Sequence, residues 1–273
     1  MGAVVANSNV IRVAVFGAGG RMGAEVCRAV AADPALELVA AIDPFHAGLD
    51  LRQATGVDVP GVLISPNAEV LTRANVDVAV DFTHLEAAVE NIKACAANGV
   101  HVVVGTTGFS GENLSDFRAA FTKSNCLIAP NFAIGAVLMM RFAEMAAPFF
   151  DSAEIIEVHH ENKIDAPSGT AMSTVARMDA AKRASGTEWI PDPTQKEMLP
   201  GARGGLGPGG IRVHGVRMRG AVANQEVILG TTGQTLTIRH DTTDRTSFMP
   251  GVVLAVKKIA EHAGVVVGLD AYM

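Results

Sequence analysis

The segment Glu157-Val-His-His-Glu-Asn-Lys163-Ile-Asp-Ala-Pro-Ser-Gly-Thr-Ala171 gathers the densest set of reactive side chains in the sequence. Two adjacent imidazoles, His159 and His160, close an apolar run, a lysine follows at 163, and Ser168-Gly169-Thr170 opens a helical pattern. Such a set suits proton transfer to a reacting centre while an anion is held on backbone N–H groups at a helix start. If the strand persists through His160, the two rings face opposite sides and only one of them meets the reacting centre directly. A metal is not expected: HExxH is absent, no cysteine is near, and the consecutive His159, His160 and Glu161 are poor ligands for one tetrahedral ion. A nucleophilic Ser168 lacks the GxSxG setting and is more simply an N-cap. By itself the segment reads either as polar residues at a strand end or as an acid and anion-binding site.

A second cluster, Gly17-Ala18-Gly19-Gly20-Arg21-Met22-Gly23, lies between a β-branched run and a helical one. Glycines at such a place let a diphosphate approach N–H groups at a helix N-terminus. The spacing departs from strict GxGxxG because Met22 takes the third-glycine place, and a purely structural tight turn is the alternative reading. Asp43 ends the next strand, where an acidic side chain accepts hydrogen bonds from an adenosine ribose and repels a 2′-phosphate. It leans the coenzyme toward NADH. Arg21, in the loop, suits either a 2′-phosphate or the diphosphate, which keeps NADPH open. Further along the same sheet edge come Asp81-Phe-Thr83, Gly105-Thr106-Thr107-Gly108 and Ala129-Pro130-Asn131-Phe132, placed where open α/β sheets bind ligands. Two threonines between glycines allow backbone to approach a flat ring.

The elements that must position these groups follow from periodicity. Strands are predicted at Val10 to Val15, Leu36 to Ile42, Val76 to Val80, Val100 to Val104 and Cys126 to Ala129, with helices at Met22 to Ala32, Leu85 to Ala97 and Gly111 to Lys123. Strand–helix alternation predicts a doubly wound parallel sheet, because parallel neighbours need crossover connections. After Asn131 the pattern changes to helices at Ile134 to about Ala147 and Thr170 to Ala184. Strands there are expected at Ala153 to His160, Ile211 to Met218, Gln225 to Gly230 and Gln234 to His240, spaced for antiparallel or mixed pairing. Gly201 to Gly210 reads as a linker or mobile cover. A helix from Gly251 to His262 is expected to pack back on the first domain. The fold class is therefore α/β, a Rossmann-type sheet with a second α+β domain on a mixed sheet. The domains run 1–131 plus 248–273, for the dinucleotide, and 132–247, for substrate and oligomerisation.

With 273 residues, 49% apolar and 18% charged, the chain can bury a sizeable core and is not disordered in general. A net charge of −6 carries no basic footprint for nucleic acid or an anionic membrane. Cys27, Cys95 and Cys126 are too few and scattered for a disulfide scaffold and fit buried thiols in a reducing compartment. Met1 to Asn9 shows no secretion-signal pattern and reads as a frayed lead-in. Ala133 to Phe150, interrupted by Arg141, Glu144 and Pro148, is too broken to span a bilayer. A cytoplasmic protein is expected. His84, His101, His214 and His262 read as structural or solvent-facing, and Asp241, Asp244 and Arg245 as a polar hinge or, alternatively, a contact with the cofactor.

GAGGRMG at 17–23, DFT at 81–83, GTTG at 105–108, APNFAIG at 129–135, HHENKIDAPSGTA at 159–171 and IRHDTTDRTSFMPG at 238–251 occur in this order. In them the chain resembles, over essentially its whole length, the 4-hydroxy-tetrahydrodipicolinate (dihydrodipicolinate) reductases of bacterial lysine and diaminopimelate biosynthesis. The resemblance implies hydride transfer from NADH or NADPH to a cyclic dicarboxylate, giving tetrahydrodipicolinate with loss of water. It matches His159 and Lys163 to the catalytic pair, and His160, Gly169 and Thr170 to substrate-binding positions. It also implies a homotetramer built through the second domain. Asn224 departs from the pattern, standing where a histidine is expected, which bears on a local hydrogen bond or an interface contact. The rivals are a reductase of another small amino-dicarboxylate and a nucleotide-responsive binding protein without turnover.

Overall fold

The structure, a computed structural model, describes residues 10–273; the lead-in Met1 to Asn9 lies outside the described residues. Two compact units are formed, one by the residues up to Phe132 with Phe248–Met273, the other by Ala133–Ser247.

In the first unit, β1 (Ile11–Phe16) is followed by α1 (Arg21–Ala32), which buries Val26, Cys27 and Val30 on one face. α1 stops at Asp33, whose carboxylate accepts the N–H of Ala35 across Pro34. After β2 (Leu36–Ile42) comes a stretch that periodicity leaves unassigned. It holds a 3₁₀ turn at Pro44–His46, α2 (Leu51–Thr55), β3 (Ile64–Ser65) and α3 (Val70–Arg73), each too short to show a periodic pattern. Then follow β4 (Val78–Asp81), α4 (Leu85–Asn98), β5 (His101–Val104), α5 (Gly111–Ala120) and β6 (Cys126–Ile128). α5 ends short of the expected Lys123, because Phe121 leaves the helical conformation and is buried in the core.

The second unit contains α6 (Ile134–Ala146), β7 (Ser152–His159), α7 (Gly169–Ala184), β8 (Gly205–Leu206), β9 (Arg212–Arg217), β10 (Ala223–Thr231) and β11 (Gln234–Thr242). Its sheet runs β11-β10-β7-β9-β8, antiparallel except for the parallel β7–β9 pair. Alternate residues of β7 and β10, among them Ile155, Val227 and Leu229, bury against Met139, Ala143, Val175 and Met178 of the two helices. Within the Gly201 to Gly210 segment, β8 pairs with β9, and Gly209 turns with φ +67° where a Cβ would lie 2.4 Å from the Asp179 carboxylate.

The chain then returns to the first unit as α8 (Met249–Lys258) and β12 (Val265–Val267). α8 packs on α1, with Lys257 2.6 Å from Asp33, and gives way to a 3₁₀ turn before the expected His262. β12 was not anticipated and completes a seven-stranded parallel sheet of order β12-β6-β5-β4-β1-β2-β3. The direction of winding reverses between β1 and β4, the switch point where such sheets bind ligands.

Candidate active site

Every expected coenzyme residue of the first unit stands at or just past a strand's carboxyl end. Gly17 turns the chain out of β1 with φ +69°, and its carbonyl accepts the Gly20 N–H at 2.9 Å. Gly20 N-caps α1 with no side chain to occupy the first-turn amides, and Ala18 and Gly19 lie between. Arg21 is an exposed residue on the first turn of the helix, beside Met22, and not in the loop as expected. The tight-packing glycine is Gly23, where a Cβ would stand 2.0 Å from the Gly17 carbonyl oxygen; the 17-20-23 spacing is thus the one the turn requires. Asp43 is buried at the end of β2, and its two oxygens accept the N–H groups of Gly19 (3.0 Å) and Phe45 (2.9 Å). The carboxylate therefore braces the glycine turn against the 3₁₀ turn. The His46 ring lies over Gly19, with Nδ1 3.3 Å from Asp43.

A cavity of about 540 Å³ opens at these ends, lined by Gly17, Gly20, Asp43, Phe45, Phe82, Thr83 and His84 among others. The size suits a nucleoside-scale ligand. Phe82 lies in the Asp81-Phe-Thr83 segment expected at this edge, whereas Phe45 and His84 carry no sequence signal as lining residues, since a lone aromatic or imidazole has none until β2 and β4 place it beside the glycine turn. At Gly105 the close approach is taken by the Phe82 ring, 2.1 Å from where a Cβ would sit. Thr106 donates to the Thr83 carbonyl at 2.7 Å, Thr107 is exposed beside it, and Phe132, after Ala129, Pro130 and Asn131, pairs with Phe82 at 5.6 Å. Asp81 is a structural node, accepting from Thr83 and Asn91.

In the second unit, β7 ends at His159, so His160 lies off the strand, exposed, and the opposite-faces expectation does not apply. His159 Nδ1 lies 2.5 Å from Oε2 of the fully buried Glu157. Burial pulls the imidazole below its ordinary pKa, with Lys163 and Arg217 adding to the fall and Glu157 opposing it. Burial alone raises Glu157, but hydrogen bonds from Arg217 and His159 outweigh it and hold the carboxyl below its usual range. Lys163 Nζ reaches both oxygens of Asp165 at 2.7 and 2.8 Å. That bond lowers Asp165, keeping an ion pair on the exposed loop. Ser168 caps α7, accepting the Ala171 N–H at 3.1 Å, which sets Gly169 and Thr170 at the positive end of a 16-residue helix. His159 at the end of β7, Lys163 in the connection that follows, and Gly169 and Thr170 at the start of α7 thus lie along one short stretch of chain. Among the described residues no group of ligating side chains is arranged for a metal ion.

The chain matches known proteins over nearly its whole length. A family model described as "Dihydrodipicolinate reductase, N-terminus" fits residues 11–132, and its C-terminal counterpart fits 135–273. This chain belongs to the dihydrodipicolinate reductase family. A 4-hydroxy-tetrahydrodipicolinate reductase from Nocardia farcinica is 48% identical over 266 residues, 96% of this chain and 98% of that one. One from Synechocystis sp. is 44% identical over 279 residues, covering 97% and 99%. A solved dipicolinate-bound dihydrodipicolinate reductase from Paenisporosarcina sp. TG-14 superposes with a TM-score of 0.84 at 39% identity, over 97% of this chain and 100% of that one.

In this member of the dihydrodipicolinate reductase family, Asn224 pairs with Val158 and so faces away from Glu157 and His159, with its Oδ1 buried and unpartnered. The isolated histidines have local duties: His101 Nδ1 accepts the Asn125 N–H, His214 pairs with Glu154, and His262 packs edge-on against Tyr272. His84 is the exception, lying at the cavity. Asp244 accepts the Thr246 N–H and so shapes the turn entering α8. All three cysteines are buried and free, and burial raises each thiol, Cys27 to about 12, which disfavours the thiolate.

Proposed function

We propose that this chain is a 4-hydroxy-tetrahydrodipicolinate reductase, using NADH or NADPH on a cyclic dicarboxylate. The observation that carries the reading is the chain's nearly full-length identity with relatives of that name together with the His159/Lys163/Gly169-Thr170 cluster. The first unit fits a dinucleotide: a Cβ at Gly23 would close the turn, and Gly20 leaves the start of α1 clear for a diphosphate. Gly17 to Met22, Asp43, Gly105 to Thr107 and Ala129 to Phe132 would hold it. When bound, NAD(P)H supplies the hydride. Asp43 favours NADH, since a second negative charge beside its buried carboxylate is repelled, while the exposed Arg21 keeps NADPH usable.

The chain's own groups supply the rest. Lys163 is the proton donor to the ring carbon that becomes basic as hydride arrives, and its partner Asp165 holds the ammonium in place on the loop. His159 is the acid/base that takes up or returns a proton during loss of water. The helix start at Gly169 and Thr170 receives one substrate carboxylate, and the exposed His160 the other. A homotetramer built through the second unit is consistent with the outward face of its sheet, which carries Ile156 and Ile228 among charged residues. No helix among the described residues can cross a membrane, and buried free thiols suit the reducing cytoplasm, where we place the protein. Steady-state assay with the dihydrodipicolinate precursor tests the reading: substrate-dependent oxidation of reduced coenzyme is expected, and none with either NADH or NADPH overturns it.

A further inference from the structure

Glu157 is a buried carboxylate to which none of the roles above has been given, yet it contacts both His159 and the Ser168 cap of α7. Its Oε1 accepts the backbone N–H of Ser168 at 3.1 Å and Arg217 Nη2 at 2.8 Å. Its Oε2 accepts Arg217 Nη1 at 2.8 Å and meets His159 Nδ1 at 2.5 Å. Four donors therefore saturate the carboxylate, with no water needed. Arg217 in turn donates to the backbone carbonyl of Asp165 at 2.7 Å, which ties the loop carrying Lys163 to the same point. Opposite Glu157 across the β7–β9 pair stands Gly215, where a Cβ would press to 3.2 Å on Oε1; the strand is open just where the carboxylate needs room.

We infer that Glu157, clamped by Arg217, is a positioning residue that fixes His159 in the Nδ1–H tautomer with Nε2 presented for proton exchange, and that holds the start of α7 and the Lys163 loop in register with it. The physical reason is that an ionised carboxylate only accepts, so the ring nitrogen facing it must donate and the other is left to exchange protons. The charges facing the imidazole are Glu157 on its own strand, Arg217 on β9 and Lys163 on the loop. Glu157 is the one that favours the imidazolium, and Arg217 both holds Glu157 ionised and tempers its effect. The inference rests on the reading of His159 as acid/base for its catalytic meaning, but the geometry it asserts stands without turnover.

The test uses the full chain, two variants at the carboxylate, and a third, His159→Gln, for signal assignment. Histidine ring signals are followed by NMR across pH, with His159 identified by the signal lost in His159→Gln. Glu157→Gln keeps the shape and removes the charge, so the His159 titration midpoint is expected to fall. The doubly apolar Glu157→Leu/Arg217→Met leaves no buried charge uncompensated, a replacement that buried ion pairs often tolerate. Here the Nδ1–H preference, read from the ring nitrogen shifts, is expected to disappear. In both, kcat should fall by about tenfold or more while coenzyme Kd stays unchanged. A His159 midpoint unmoved in folded Glu157→Gln, or a retained Nδ1–H tautomer in the double variant, overturns the inference. Should Glu157→Gln not fold, the double variant decides through the tautomer. If the unaltered chain shows no turnover while these ring signals move as expected, the reductase reading fails and the positioning role stands.

Discussion

Lys163 and Asp43 make the sharpest demands at the scale of single residues. Lys163 is paired to Asp165 on an exposed loop, so its removal costs the fold little and the chemistry much. Lys163→Ala should lower kcat by about 10²–10⁴-fold, the usual contribution of a positioned acid, with coenzyme affinity unchanged in a fluorescence titration. An unchanged kcat would remove the acid role. Asp43 braces Gly19 and Phe45, and the proposed contact with the ribose separates from that brace by comparing coenzymes. Loss of the brace weakens NADH and NADPH alike. Loss of the carboxylate's contact with the ribose, and of its repulsion toward a 2′-phosphate, weakens NADH more. Asp43→Ala should therefore raise Kd for NADH more than for NADPH in paired titrations, and equal losses would leave only the brace. Chemistry and spacing coincide at His159 to Lys163, which is why the sequence singles that stretch out as the candidate site. Glu157 was not singled out, because a glutamate in an apolar strand gives no sign that it is fully buried until Arg217 arrives from β9.

Elements position these residues through their ends. The Gly17–Gly23 turn is dictated by one backbone approach: at Gly23→Ala the new methyl meets the Gly17 carbonyl oxygen, which no rotamer change can relieve. Overpacking of this kind costs about 1–3 kcal/mol. Denaturant titration should show that loss together with weaker coenzyme binding, whereas unchanged binding would mean the turn can shift without consequence. At the other helix start, Ser168→Ala removes the acceptor for Ala171 N–H while leaving the backbone bond to Glu157, and should cost about 1 kcal/mol by the same measurement. Long elements with one buried face were read to within a few residues, from β2 and α4 to α6 and α7. Those missed are the short ones, α2, β3, α3, β8 and β12, which exist because a sheet edge or a neighbouring turn offers hydrogen bonds that local pattern does not record.

Across the whole molecule, titration couples the site to stability. Burial lowers His101, His159 and His240 below their ordinary values. Between their unfolded pKa near 6.5 and the lower folded values the unfolded chain binds more protons, so stability is full above that range and falls as pH drops through it. Glu154 and Glu157 act in the same direction at lower pH: both are held below the usual range despite burial, by Arg203 with His214 and by Arg217 with His159, and their contribution is lost as they protonate. The denaturation midpoint in guanidinium should therefore already be lower at pH 5.5 than at pH 7.5; a flat profile over that interval would mean that the imidazoles are as free to charge in the folded chain as in the unfolded one. What the residues alone determined is the α/β class, the mixed second sheet and the chemistry-bearing segments, because periodicity, glycine placement and motif spacing are local properties of the chain. The tertiary structure alone decided that Asp43 braces the glycine turn, that Phe82 fills the space over Gly105, and that one buried carboxylate joins His159, Ser168 and Arg217. Apart from the His159–Glu157 bond, whose partners are two positions apart, those are pairings between residues 11 to 60 positions apart, and burial and hydrogen-bond saturation are fixed only when strands remote in sequence come into register.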